Sequence, residues 1–515
     1  MKKFIDFFIA LGTAFVMGFV YLNNKIYDVF GYTISFTYSL NAPAFKEVID
    51  TGLYSFSPIE IFLFWVDSFA LVVITFYALY YSRNFKVKGV NLRIIMIVFL
   101  IIMAYSWQKY HFSAPSLQLP SSGNFINERK VTMLDTDIAP LPKQNVSVDL
   151  NVVLLLMESV NSKHFTSDYY PQVLSYLHSR PHYLNSNFIS PGGETSISVP
   201  RIFHSRSEIG NQTFSCNDSY FRELAASGVH NYLYSAQIYH WLNLEALFIC
   251  EPQLKLQTPP LIRKRLVQEK LLAKRLKGIN LYELEHGFDD QAIVRTIKYD
   301  LENAAITAPY FLTVHFYGTH FPFMGVKNRI QANYLNTVGQ FMKGTEAIKA
   351  KLKNDITDQY QQAVRLNDQN VFALIKEIEA HAQSNNQSIL LAITSDHGEA
   401  LGEHGYLLHA HDSPLFQELI NVPLAFICLG PENSKCTDTI ATLNRSRNDE
   451  YQSLTKLLPT LMRGQGLNDD LTPSESSTIV SQGYRSMALI EGSKKTLITP
   501  NKTLTFDLAI NPDEK

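Results

Sequence analysis

The chain has 515 residues, 46 % of them hydrophobic, and a formal net charge of −2. It is too long for one ordinary domain, and its charge is too balanced for a nucleic-acid binder, so nucleic acid is excluded as a partner. The apolar residues are unevenly spread, and their distribution says more than their total.

Three apolar segments open the chain, at residues 4–22, 58–81 and 92–107. Each approaches the roughly 20 residues that cross a bilayer. Lys2 and Lys3 precede the first, and Arg83, Lys86, Lys88 and Arg93 lie between or just inside the second and third. The first loop carries only Lys25 and Lys46. Basic residues stay on the cytoplasmic side, so the rest of the chain is expected on the outer face. The expectation is a membrane region of about three helices over 1–107, an extended linker over 108–147 and an exported domain over 148–515. The membrane itself is thus an expected partner. Cys216, Cys250, Cys428 and Cys436 all fall in the exported part, as disulfides require. Three pairings are possible; Cys216–Cys250 with Cys428–Cys436 is favoured, since each closes a local loop.

The exported domain opens on the apolar run 150–157, a central strand ending at Glu158. A helix over 170–180 and a strand over 183–189 follow. Glycines and small hydroxyl residues then form Pro191-Gly192-Gly193-Glu194-Thr195-Ser196, a turn opening a helix whose N-terminus suits a phosphate. Further expected elements are a helix at 221–227, a strand at 231–235 and a helix at 291–304. A strand at 310–315 ends in His315 and leads to His320. Helical periodicity runs from 357 to 381, and an apolar strand at 388–394 delivers Ser395-Asp396-His397-Gly398-Glu399. A strand at 422–428 and a helix at 453–462 complete the domain. Alternating strands and helices imply a mostly parallel α/β sheet with helices on both faces and a site at one edge. Glu158, Thr195, Asp396 and His397 together offer oxygen and nitrogen donors suited to Zn2+ or Mn2+.

In this combination the chain resembles the sulfatase-like branch of the alkaline phosphatase superfamily. It is most similar to the membrane-bound phosphoethanolamine transferases that modify lipid A and related glycans. The resemblance rests on Thr195-Ser196-Ile197-Ser198-Val199-Pro200, on Ser395 to Glu403, on His315 to Pro322 and on His409 after Tyr406-Leu407-Leu408. It implies Thr195 as nucleophile and Glu158, Thr195, Asp396 and His397 as metal ligands. His320 and His409 would hold the phosphoryl group or move protons, with Glu399 and His315 near the substrate. It further implies an alkaline phosphatase-like fold, a phospholipid donor, a glycolipid or glycan acceptor, and a place in the bacterial inner membrane with the catalytic domain on the periplasmic face. The chain departs from that family in having fewer membrane spans and in carrying Pro191 and Arg201 where cysteines flank the nucleophile. The alternatives are a phosphoglycerol transferase, a phosphodiesterase or sulfatase-like hydrolase, and a catalytically silent lipid sensor. A formylglycine-forming sulfatase needs Arg four residues after its Cys or Ser; Ser198 has Pro200 in place, but Ile202 stands at that fourth position.

Overall fold

The computed structural model describes residues 148–514 with gaps at 205–212, 217–218, 240, 249–250, 252, 280–286, 328–333, 410–412, 448–449, 466–477 and 484–485, together with the short pieces 86–87, 90–91 and 132–133. The expected spans at 4–22, 58–81 and 92–107 lie outside the described residues. Among the described residues no helix is long and apolar enough to cross a membrane. The chain divides into two compact units, Met1–Gly123 with Asn333–Ala350, and Asn124–Ala332 with Lys351–Lys515. In the first, Lys86–Val87 pairs antiparallel with Val90–Asn91, and Tyr334–Lys343 is a helix.

The second unit is built on a sheet of eight strands. In chain order they are β1 (Leu150–Met157), β2 (His182–Ile189), β3 (His230–Ser235), β4 (Lys255–Gln257), β5 (Tyr310–His315), β6 (Ser388–Ser395), β7 (Asn421–Leu429) and β8 (Gln452–Ser453). They lie side by side as β8-β2-β7-β6-β1-β5-β3-β4. Every neighbouring pair is parallel except the two that β7 makes with β6 and β2. The fold is therefore α/β with a mostly parallel central sheet, and the one reversed strand is not visible in the apolar pattern. Seven strands deliver their carboxyl ends to one edge, and β7 brings its first residues there. Ligand sites of open α/β sheets form at that edge.

All eight residues of β1 are buried, the pattern of a strand covered on both faces. Side chains alternate between faces. Leu150, Val152, Leu154 and Leu156 pack on one side with Val199, Ile202, Phe203, Phe221, Ile440 and Leu461. Those partners come from α2 (Thr195–Phe203), α3 (Tyr220–Ala226), α8 (Ser434–Arg445) and α9 (Leu457–Gly464). Val153 and Leu155 on the other side are equally buried. Three helices absent from the first layer tie to one another: α1 (Pro171–His178), α6 (Asp290–Glu302) and α7 (Glu346–Ser384, from Lys351 on within this unit). Asp368 accepts from the backbone N–H of Val173 at 2.9 Å, and Lys298 pairs with Glu377 at 2.6 Å.

The C-terminal part forms a separate antiparallel meander of β9 (Thr478–Gln482), β10 (Met487–Glu491), β11 (Lys494–Ile498) and β12 (Thr503–Asp507). It grips the loop before α2: the N–H of Gln482 donates to Pro191 C=O at 3.0 Å, and its side chain accepts from Arg201 at 2.6 Å. Cys428 is disulfide-bonded to Cys436, as expected, and Cys216 is also in a disulfide. Its favoured partner Cys250 lies outside the described residues.

Candidate active site

Glu158 is the first residue beyond β1 and is wholly buried. Ser159 follows it at φ 56°, a left-handed turn that stops the strand at once. Asp396 and His397 stand at the matching position after β6, one strand away. The N–H groups of Ser159 and His397 donate to Asp396 Oδ1 at 3.2 and 2.7 Å, fixing that carboxylate across the two strand ends. Thr195 is the first residue of α2, after a turn in which the Ser190 hydroxyl bonds the Asp396 carbonyl.

These ends converge. The Thr195 hydroxyl donates to Glu158 Oε1 at 2.8 Å and lies 3.3 Å from His397 Nε2. His397 Nε2 is 3.1 Å from Glu158 Oε1 and 3.4 Å from Asp396 Oδ2. His397 Nδ1 bonds the Gly398 carbonyl at 2.8 Å, leaving Nε2 for the cluster. His315 Nε2 lies 3.1 Å from Glu158 Oε2, and its Nδ1 meets the Tyr239 hydroxyl at 2.5 Å. So His315, expected near the substrate, stands with Glu158 and Asp396 in one group of potential ligand atoms within 4.8 Å of each other.

A divalent ion fits this donor set. Glu158 Oε2, Asp396 Oδ2 and His315 Nε2 are buried and make no hydrogen bond; His315 and Glu158 are close but not aligned as donor and acceptor. Buried charged oxygens are costly unless a cation or donor satisfies them. The acid–base shifts have the same origin. Burial opposes charge on His397, but Asp396 and Glu158 outweigh it and push the imidazole up to about 10. Burial and the Glu158 charge raise Asp396 to about 6. Burial alone would raise Glu158, yet the His315 and His397 imidazoles hold it well below the usual carboxylate range.

His409 and His320 line the outer side. The His409 ring centroid is 4.6 Å from that of His397 and 4.9 Å from that of His320. Burial, reinforced by His397, lowers His409 to about 3, and burial with His409 lowers His320 to about 4. Both are thus neutral imidazoles near neutral pH. Glu399 sits against His409 Nδ1 at 3.0 Å and is raised by burial to about 8, although His397 and His320 oppose the shift. All eight residues expected at the site are therefore brought together. A further potential ligand group, His404, Glu418 and Glu514, is already served by lysines: Lys163 reaches Glu418 at 3.1 Å and Lys495 reaches Glu514 at 2.6 Å.

Supporting residues escape sequence reasoning. Asp290 accepts from the N–H groups of Tyr317 and Gly318 at 2.7 and 3.0 Å, holding the loop that carries His320. In sequence it reads only as the start of a helix. Asn161 bonds the carbonyls of Glu399 and Glu418 at 3.4 Å each, and no local pattern announces it. Gly398 passes so close to the Glu418 carbonyl that a Cβ would collide with it; its place after Asp396-His397 was the one visible signal.

A mostly parallel α/β sheet thus carries two carboxylates, imidazoles and a hydroxyl at its carboxyl edge, in groups that could hold a metal ion. The sequence model of the sulfatase family matches residues 150–466. That is more than half of the chain, and the chain belongs to the sulfatase family, an enzyme family of the alkaline phosphatase superfamily. Similar solved structures include the C-terminal periplasmic domain of EcEptC from Escherichia coli in complex with Zn, at 17 % identity over 71 % of this chain and 97 % of that chain, TM-score 0.46. The integral membrane protein lipooligosaccharide phosphoethanolamine transferase A (EptA) from Neisseria meningitidis is 14 % identical over 88 % of this chain and 83 % of that chain, TM-score 0.47. BT1596, a 2-O GAG sulfatase, is 11 % identical over 71 % of this chain and 86 % of that chain, TM-score 0.46. No curated protein matches the sequence.

Proposed function

We propose that the chain is a membrane-anchored, metal-dependent transferase. It moves a phosphoethanolamine group from a phospholipid, through a covalent phosphothreonine at Thr195, to a lipid A or glycan acceptor on the outer face of the bacterial inner membrane. Residues 1–107 would be the anchor, 108–147 the linker and 148–515 the catalytic part. The observation that carries the reading is the Thr195 hydroxyl, 2.8 Å from Glu158 and 3.3 Å from His397 at a helix N-terminus.

Glu158, Thr195, Asp396 and His397 would hold Zn2+ or Mn2+, with His315 beside them. Such an ion, when bound, lowers the pKa of a coordinated hydroxyl and stabilises charge on phosphoryl oxygens. The Thr195 hydroxyl loses its proton to solvent as Oγ1 attacks phosphorus, the bond to the diacylglycerol oxygen breaks, and that oxygen takes a proton in exchange. In the second step an acceptor oxygen attacks phosphorus, its proton passes to an imidazole, the Thr195 ester bond breaks, and Thr195 Oγ1 takes a proton back. His320 and His409 are neutral near pH 7 but weak bases while buried beside each other and His397; the negative charge of a phosphoryl group would raise them toward the proton-accepting role, and Glu399 orients His409. The N-terminal turn of α2 turns its N–H groups toward the transferred anion.

Intact mass of the protein after incubation with phosphatidylethanolamine tests the reading. A phosphoethanolamine adduct on Thr195, absent from Thr195→Ala, is expected; a fully active Thr195→Ala variant would refute it. A hydrolase is the second reading, favoured by the family itself. It predicts release of the free head group at the same rate with and without an acceptor, and a panel of head-group-labelled phospholipids separates the transferases from one another. Sulfate-ester cleavage through a converted residue is disfavoured, because Ile202 stands where conversion of Ser198 would need an arginine.

A further inference from the structure

Residues 259–277 contain seven lysines and arginines and one acid, Glu269. They fold as α4 (Pro259–Gln268) and α5 (Lys270–Arg275). Ile262, Leu272 and Leu276 are buried and fix the pair to the body. The outward positions are unusual. Leu261, Val267 and Leu271 are 38, 86 and 65 % exposed, and they are three of only six large hydrophobic residues exposed among the described residues. One exposed leucine needs no explanation, but three exposed apolar residues within eleven positions of two consecutive helices point to a contact surface. Lys264, Lys270 and Lys274 alternate with them at exposed positions.

The arginines and lysines of this stretch have different employment. Arg265 pairs with Asp300 at 2.6 Å and with Glu269 at 2.8 Å, and Arg275 pairs with Glu302. Among the described residues, no acidic group stands at ion-pair distance from Lys264, Lys270 or Lys274. Apolar side chains ringed by uncompensated lysines match an anionic lipid surface: the former enter the head-group boundary and the latter meet phosphates.

Position supports the match. β4 runs parallel to β3, and β3 and β1 to β5, so α4 starts from the carboxyl edge that carries Glu158. The β4 exit is three strand spacings, roughly 14 Å, from β1. We infer that the Leu261–Val267–Leu271 face of α4 and α5 rests on an anionic bilayer and holds the sheet edge with the active site against the lipid surface. The three segments of spanning length at 4–22, 58–81 and 92–107 give the chain a bilayer to rest on. The contact itself is carried by the chemistry of α4 and α5 and is distinct from the transferase reading.

The test uses the full chain reconstituted in vesicles, with an environment-sensitive fluorophore on Val267→Cys and, as control, on Ile510→Cys, a residue 83 % exposed. No free cysteine among the described residues competes for the label. Lipids carrying a nitroxide in the upper acyl chain are expected to quench the Val267 probe at least about threefold more than the control in phosphatidylglycerol-containing vesicles. The contrast should shrink in phosphatidylcholine alone and in Lys264→Glu/Lys270→Glu/Lys274→Glu. Equal quenching at the two positions, or a contrast insensitive to both lipid charge and the lysines, would overturn the inference. Pyrene excimer emission from Val267→Cys without lipid quenching would assign the face to a second copy and overturn it too. Carbonate-resistant flotation reports the N-terminal anchor separately, and head-group transfer reports the catalytic reading.

Discussion

Thr195 and Glu158 touch at 2.8 Å, yet they should fail in different ways when changed. Thr195→Ala removes one neutral hydroxyl. Glu158, Asp396, His397 and His315 keep their positions, so metal affinity should stay within about tenfold, because a neutral hydroxyl is a weak donor beside carboxylate and imidazole. Activity should fall roughly a million-fold, the scale of losing a covalent nucleophile. Glu158→Gln keeps the shape and removes a charge that faces Thr195 at 2.8 Å and the two imidazoles at 3.1 Å each. Partners outside the coordination sphere are already worth roughly 10–100-fold in metal affinity, so removing this carboxylate should cost more than about 100-fold. Metal content after dialysis, read by mass spectrometry, together with head-group release from labelled phospholipid, separates the two effects. A Glu158→Gln protein that retains its metal would refute the assignment of the ligands. A Thr195→Ala protein that still forms an adduct would refute the nucleophile.

Three other perturbations have definite expected outcomes. Gly398→Ala drives a Cβ into the Glu418 carbonyl and within 2.8 Å of Asn161 Cβ; it should cost about 1–3 kcal/mol in urea unfolding and weaken metal binding by displacing His397, and a silent substitution would show that the loop yields freely. Lys495 and Glu514 form a pair with both side chains fully buried: Lys495→Ala should cost about 3–5 kcal/mol by stranding the carboxylate, while Lys495→Met/Glu514→Leu should lie nearer the wild type, and purely additive losses in a double-mutant cycle would contradict a coupled pair. Burial holds Asp290 at about 7 against 3.8 when free, its backbone donors opposing only in part; between these values the unfolded carboxyl is ionised while the folded one keeps its proton, so stability relative to Asp290→Asn should be greatest at low pH and decline as pH rises toward 7. Thermal midpoints of both proteins from pH 4 to pH 8 check the last point, and a difference independent of pH would refute it.

How legible all this was depends on the range of the interactions. β1, β5 and β6 are fully buried apolar runs, so strand content and end points were plain, and Glu158, His315 and Asp396 could be set at strand ends. The order of the strands was not plain. β7 is as apolar as the parallel strands β1 and β6 and carries no mark of its reversal, since a strand buried on both faces looks the same in either direction. The terminal meander was missed because its inward residues, such as Lys495 and Gln482, are polar; Lys495 pairs with Glu514 beyond the last strand, and Gln482 with Arg201 far away in sequence. α4 and α5 were also missed: their outward leucines and valine blur the amphipathic period that reveals an ordinary surface helix. His315 was visible as a site residue, but only the fold shows that it faces Glu158.

The electrostatics of the cluster and its hydrogen-bond gaps are two views of one deficiency. Two carboxylates enter a volume closed to water, and the nearest groups that can balance them are His397 and His315. His397 responds by holding its proton up to about 10, and Asp396 by holding its own up to about 6. Even so, an oxygen of each carboxylate is left without a donor. A proton on His397 satisfies one direction at a time, whereas a divalent ion is met from several directions at once by the same atoms. Binding an ion here must therefore displace protons, chiefly from His397, and affinity must rise with pH until that imidazole is neutral. The Thr195 hydroxyl is the one hydroxyl donor in the set. A divalent ion held by these residues would favour loss of the Thr195 hydroxyl hydrogen, whereas a proton on His397 can only bond the Thr195 oxygen.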